Sequence, residues 1–134
     1  MQEINLMKKI IQTNNAPAPI GPYSQAVIVN NILYVSGQIA INPADGTMDI
    51  ANITNETKRV MENIGAILKE AGCDYNDIIK TTIFLTDMNN FQSVNEVYGS
   101  YFKDNYPARE TVEVTGLPKK VNVEISVIAE VAGS

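Results

Sequence analysis

The chain has 134 residues, 45% of them hydrophobic, enough to bury one core without disulfide or metal staples, and a formal net charge of −5. Histidine is absent and cysteine occurs once, at Cys73, which excludes Ser-His-Asp and Cys-His nucleophile systems, His-ligated zinc, CxxC motifs and any intrachain disulfide. The acidic balance lacks the basic field that phosphate-backbone binding depends on, and nucleic acid is therefore not the expected partner.

One domain over 1–134 is expected. The segment Met1 to Gln12 carries Lys8 and Lys9 before only two isoleucines, too short an apolar run for a signal peptide, and no run approaches transmembrane length. An unprocessed, cytoplasmic protein without a membrane partner is the expectation. Lys8–Gln12 reads as a short first strand, ended by the proline-rich Asn14-Asn15-Ala16-Pro17-Ala18-Pro19. After the Gly21-Pro22 break, Ala26–Val29 and Ile32–Gln38 flank Asn30-Asn31 as a hairpin. Gly37 near the end of the second strand offers a place for a ligand to approach the backbone.

Asn42-Pro43-Ala44-Asp45-Gly46 is turn chemistry, and from about Ile53 the apolar period becomes helical through Val60, Met61, Ile64, Ile67 and Leu68 to about Ala71. Asn52 or Thr54 caps its start, Glu56 lies in its first turn, and Gly72 marks its end. Arg59 reads as a solvated surface charge, and Cys73 as a half-buried thiol. Ile78–Leu85 has β-branched residues on both faces and reads as an interior strand. A second helix fits Phe91, Val94, Val97, Tyr98, Tyr101 and Phe102, introduced by Asn89-Asn90, its aromatics forming a core stripe.

The segment Tyr106–Pro118 followed by Val121–Val127 reads as two strands joined by a Gly/Pro turn, a hairpin. Alternation puts Arg109, Thr111 and Glu113 on one face of the first, and Glu110, Val112 and Val114 on the other. In the second strand Val123, Ile125 and Val127 share a face, so Glu124 and Ser126 turn to the side expected for Arg109. The order implies an α+β fold with one mixed sheet and both helices on one face. The opposite face, bearing Arg109, Thr111, Glu113 and Glu124, then needs cover, which a closed homo-oligomer with inward-facing sheets would supply.

Gly21-Pro22-Tyr23-Ser24-Gln25, Ser36-Gly37-Gln38, Phe91-x-x-Val94-Asn95, Pro107-Ala108-Arg109, Leu117-Pro118 and Val123-Glu124-Ile125 together resemble, in order and spacing, the Rid family of enamine/imine deaminases, also called YjgF, L-PSP or perchloric-acid-soluble proteins. The resemblance runs from about Lys8 to Ala132 and is nearest the deaminase-active subgroup. It implies a chorismate-mutase-like fold, a homotrimer with clefts between subunits, and hydrolysis of 2-aminoacrylate, 2-iminopropanoate and related intermediates to 2-keto acids and ammonia without metal or organic cofactor. The role implied is metabolite damage control.

The residues suit such chemistry. Arg109 offers a planar fork for the carboxylate of an imino acid, a geometry lysine lacks, and Glu124 can handle the attacking water. The resemblance also places Tyr23, Ser36, the Gly37 backbone, Asn95 and the Thr111 backbone around the ligand. Position 111 is Thr where many relatives have Cys, which removes any thiol role there. Glu110 stands where a small Ser or Thr is common, and Ser126 replaces a frequent second acid. Two other readings stay open: a small-carboxylate sensor using the same cleft without turnover, and an endoribonuclease or translation inhibitor, which the acidic composition disfavours. Taken singly, Arg109 and Glu124 would be ordinary strand charges.

Overall fold

Where the apolar period is two, the chain forms strands, and where it lengthens to the helical period it forms two helices. The computed structural model describes residues 7–132, and the reading of the N-terminal segment lies outside them for residues 1–6. The strands are β1 (Lys9–Ile11), β2 (Ala26–Val29), β3 (Ile32–Gln38), β4 (Ile78–Leu85), β5 (Ala108–Glu113) and β6 (Val123–Glu130). The helices are α1 (Ile53–Glu70) and α2 (Phe91–Gly99). All six strands join one mixed sheet in the order β1-β2-β3-β6-β4-β5. The α+β expectation holds. β2 and β3 form the expected hairpin, with Asn30 and Asn31 at φ 51° and 64°, the left-handed pair that a two-residue turn matching strand twist requires.

α1 is capped by Asn52, whose side chain accepts from the Asn55 N–H, and it stops before Gly72 at φ +80°. Val60, Met61, Ile64, Ile67 and Leu68 are fully buried against the sheet. Facing them are Leu33 and Val35 of β3, Ile83 and Leu85 of β4, and Val123, Ile125, Val127 and Ala129 of β6. Arg59 is not the free surface charge expected of it: its Nε donates to Asp49 Oδ2 at 2.9 Å and ties α1 to the preceding loop. Cys73 is more deeply buried than expected, 8% exposed. α2 begins after a 3-10 turn, Met88–Asn90, that Asp87 rather than Asn89 caps, and it ends at Gly99. Tyr101 and Phe102 therefore lie beyond it, although Phe102 remains in the core.

The expected terminal hairpin does not form. β4, α2 and β5 make a strand–helix–strand unit with β4 and β5 parallel, and β6 then inserts on the other side of β4, antiparallel to it and to β3. The Gly116-Pro118 signal that suggests a hairpin serves a longer connection instead. The Val/Ile-rich face of β6 is buried between β3 and β4, whereas the polar Ala-Arg-Glu-Thr-Val-Glu of β5 is left at the sheet edge, largely exposed.

That insertion changes the faces. Thr81, Ile83 and Leu85 point toward the helices and are in register with Arg109, Thr111 and Glu113 on β5, which share that side. Glu124 pairs with Phe84, and Ser126 with Thr82, on the open side. Arg109 and Glu124 therefore stand on opposite faces of one chain's sheet, contrary to the expectation. The open face carries Ile10, Tyr34 and Val112, 56%, 46% and 43% exposed, with Glu124 and the Lys80–Glu110 pair, and not Arg109, Thr111 or Glu113.

The start of β6 rests on one buried carboxylate. Glu56, fully buried in the first turn of α1, accepts from the Asn122 N–H and side-chain amide, each at 2.7 Å, and from the Val123 N–H at 3.1 Å. Replacing it with Ala would strand three donors, and Glu56→Ala is expected to cost about 2–5 kcal/mol, with Glu56→Gln milder because one oxygen still accepts. Chemical denaturation of both variants measures this; a Glu56→Ala midpoint equal to wild type would contradict the anchoring role.

Candidate active site

Two clusters of polar side chains stand at different places on the chain. The first surrounds Glu124. Between Val35 and Gln38 the pairing of β3 with β6 slips by one residue, a bulge that frees Ser36 and Gly37 from regular register beside Glu124. The Ser36 hydroxyl donates to the Ser24 carbonyl at 2.6 Å, and the Ser36 N–H to the Gln25 carbonyl at 2.9 Å, pinning the Gly21–Gln25 loop and Tyr23 against the bulge. Gln25 secures that loop in turn: its amide donates to the carbonyls of Thr13, Ala16 and Pro17 and its oxygen accepts from the Thr13 N–H. A cavity of about 350 Å³ results, with Ser36, Gly37 and Glu124 as its polar end and Ile20, Ile39 and Pro118 as apolar wall, beside Tyr23.

Gly37 is there because Glu124 is. A Cβ at position 37 would overlap the Glu124 carboxylate, coming within 2.8 Å of its Cδ. The close approach half-buries Glu124, and desolvation raises its pKa above the ordinary 4.5. A half-buried carboxylate of this kind holds a proton more readily than a surface glutamate.

The second cluster is at the outer edge of β5. Arg109 Nη1 donates to Asn95 Oδ1 on α2, and its guanidinium carbon lies 5.5 Å from the Phe91 ring centroid and 5.4 Å from that of Tyr98. Phe91, Asn95 and Tyr98 are spaced i, i+4, i+7, one face of α2. Tyr98 is buried and hydrogen-bonds Thr81 Oγ1 at 2.8 Å. Burial raises its pKa, against lowering by the Thr81 bond and the Arg109 charge. Glu110 does not compete for Arg109: it turns to the open face and pairs with Lys80 at 3.5 Å. The Val114 N–H bonds to the Leu85 carbonyl, so strand alternation turns the backbone N–H and C=O of Arg109 and Thr111 outward from the sheet. Thr111 Oγ1 is itself buried without a partner among the described residues.

The profile of the family described as Endoribonuclease L-PSP matches residues 13–131. The chain belongs to the L-PSP family. It is 46% identical over 125 residues to a human protein named 2-iminobutanoate/2-iminopropanoate deaminase, covering 93% of this chain and 91% of that one. A Rid-family protein of Yersinia pestis has a similar structure, with a TM-score of 0.91 at 52% identity over 93% of this chain and 100% of the other. Escherichia coli TdcF, solved with bound serine, has a TM-score of 0.88 at 42% identity, covering 92% and 99% of the two chains.

In this L-PSP chain the residues singled out from sequence fall into two sets: Tyr23, Ser36, Gly37 and Glu124 in one, Asn95, Arg109 and Thr111 in the other. The two sets do not meet within the chain. Asn95, expected beside a ligand, is engaged with Arg109. Sequence reasoning missed Phe91 and Tyr98 as neighbours of Arg109, taking one as a helix start and the other as core. The i, i+4, i+7 spacing to Asn95 was the available signal, legible only once β5 is known to lie beside α2. Gly37→Ala is expected to keep the fold and displace the Glu124 carboxylate. A crystal structure checks this, and an unmoved Glu124 would contradict the packing argument.

Proposed function

We propose that the protein is a cofactor-independent deaminase that hydrolyses 2-imino acids, the imine tautomers of 2-aminoacrylate and its homologues, to 2-keto acids and ammonia. The observation that carries this reading is Arg109, whose Nη1 is engaged by Asn95 while its remaining donors have no protein partner among the described residues. Such a guanidinium matches one carboxylate bidentately. The deaminase name of the human relative and the bound serine of TdcF, which also bears an α-carboxylate, support the same substrate class.

The reading includes a homotrimer. The open sheet face bears the exposed Ile10, Tyr34 and Val112, an apolar surface that association of inward-facing sheets would bury. A cleft between subunits would set Arg109 of one chain, at a sheet edge, against the Glu124 cavity of its neighbour, and would supply the meeting that the single chain does not. Catalysis then follows from position. Arg109 holds the carboxylate of the iminium, and Glu124 takes a proton from water as its oxygen bonds to the imine carbon. The resulting carbinolamine nitrogen receives that proton from Glu124, and ammonia leaves with the C–N electron pair as the hydroxyl proton passes back to the Glu124 carboxylate, so that the C–O bond becomes the keto C=O; Glu124 then returns that second proton to the departing ammonia, which leaves as ammonium. Positioning and proton transfer of this type contribute roughly 10²- to 10⁴-fold, enough for an imine that already hydrolyses in water. The role in the cell is removal of reactive imines in the cytoplasm, where pyridoxal-phosphate-dependent dehydratases and lyases release them.

An assay that generates 2-aminoacrylate enzymatically and follows keto acid tests the reading. Arg109→Ala is expected to lose the acceleration, and wild-type rates in that variant would overturn the mechanism. Glu124 must be ionised to act, and its folded pKa is raised, so activity falls as pH drops through a value above 4.5. Glu124→Gln is expected to lose roughly 10²-fold or more together with that acid limb. The same variant should be more stable at neutral pH, because a raised folded pKa means that the ionised form costs stability above it. An unchanged pH profile in Glu124→Gln would remove Glu124 from the proton path.

A further inference from the structure

We infer that Phe91 and Tyr98 are positioning residues that hold the Arg109 guanidinium by its π-facing contacts, presetting the anion fork before substrate arrives; the inference rests on the deaminase reading of the site. An arginine at the exposed edge of a sheet ordinarily samples many rotamers, and the loss of that freedom on binding offsets the gain from the ion pair. Here three side chains from one face of α2 remove it beforehand. Asn95 takes one Nη1–H in the plane of the guanidinium, while the Phe91 and Tyr98 rings lie 5.5 and 5.4 Å from Cζ, within cation–π range.

The two rings differ in what holds them. Tyr98 is 4% exposed, bonded to the fully buried Thr81 and tilted against Phe102 with centroids 4.9 Å apart, so it is a fixed floor built into the core. Thr81 is also the β4 residue in register with Arg109, which makes the strand pair and the ring support the same side chain. Phe91 is 37% exposed at the start of α2, where no side chain caps the helix. An apolar ring left that open is poorly explained by core packing and well explained by the cation it covers. Apart from the Nη1–H that Asn95 takes, the guanidinium donors have no protein partner among the described residues, and a planar carboxylate can bind two of them through parallel hydrogen bonds.

Phe91 is the side chain to test, because replacing it opens no buried space. Binding of 2-oxobutanoate is measured by calorimetry for wild type, Phe91→Ala, Phe91→Leu, Phe91→Tyr and Arg109→Ala, alongside kcat and KM for the imine reaction. Loss of a partly desolvated cation–π contact corresponds to a weakening of about 5- to 20-fold. Phe91→Ala and Phe91→Leu are both expected to show it, chiefly in Kd and KM with kcat within about threefold, and Phe91→Tyr is expected to restore wild-type values. Full binding in Phe91→Leu would show that apolar bulk suffices and overturn the inference, as would Phe91→Ala within twofold of wild type. If Arg109→Ala binds as well as wild type, the site reading itself fails; if it alone loses binding, that reading stands and the aromatic support falls.

Discussion

Everything about the site follows from the place of β4, which pairs in parallel with β5 on one edge and antiparallel with β6 on the other. Directly paired residues share a face whichever way the strands run, so a single parity governs three strands. Thr81, Ile83 and Leu85 set it, because they must face the helices to be buried. Once they do, Arg109 and Thr111 go to the helix side and Glu124 to the open side. No local adjustment within one chain can reunite them without turning the core face of β4 or β6 to solvent.

The parity has a chemical consequence. Within one chain Arg109 and Glu124 cannot pair with each other. Held on opposite faces, Arg109 lies over the Phe91 and Tyr98 rings and is hydrogen-bonded by Asn95 of α2, and Glu124 is desolvated against Gly37. Each is prepared by its own surroundings. The supports are buried polar ties of the kind that give a loop one conformation: Gln25 under the Tyr23 loop, Glu56 under the start of β6, and the Asn63 amide donating to the Ile39 and Ile41 carbonyls beyond the bulge.

The local level of this fold was legible in the sequence, and the level set by pairing partners was not. Asn30-Asn31, the helical period from Val60 to Leu68 and the apolar run Ile78–Leu85 each carry their own physical signature, and each forms the expected element. Alternation also divided the faces of β5 and β6 correctly, strand by strand. What failed was the relation between those strands, since Gly116 and Pro118 mark a reversal without saying whether the returning strand lies next door or one place further. The deciding factor was burial: β6 has an apolar face fit for the interior, and β5 does not. Arg109 and Glu124 were named on chemical grounds, and the shared face that first linked them does not exist.

On the proposed deaminase reading the working site is composite, with Arg109 from one subunit and Glu124 from its neighbour. The most direct measurement is complementation between Arg109→Ala and Glu124→Gln, each weakly active alone, after unfolding the two together and refolding them as mixed oligomers. Random assembly leaves about a quarter of the clefts with both native residues, so imine hydrolysis should return to about a quarter of wild type. Activity that stays at the level of the separate variants, in mixtures shown by native mass spectrometry to contain both chains, would contradict the account.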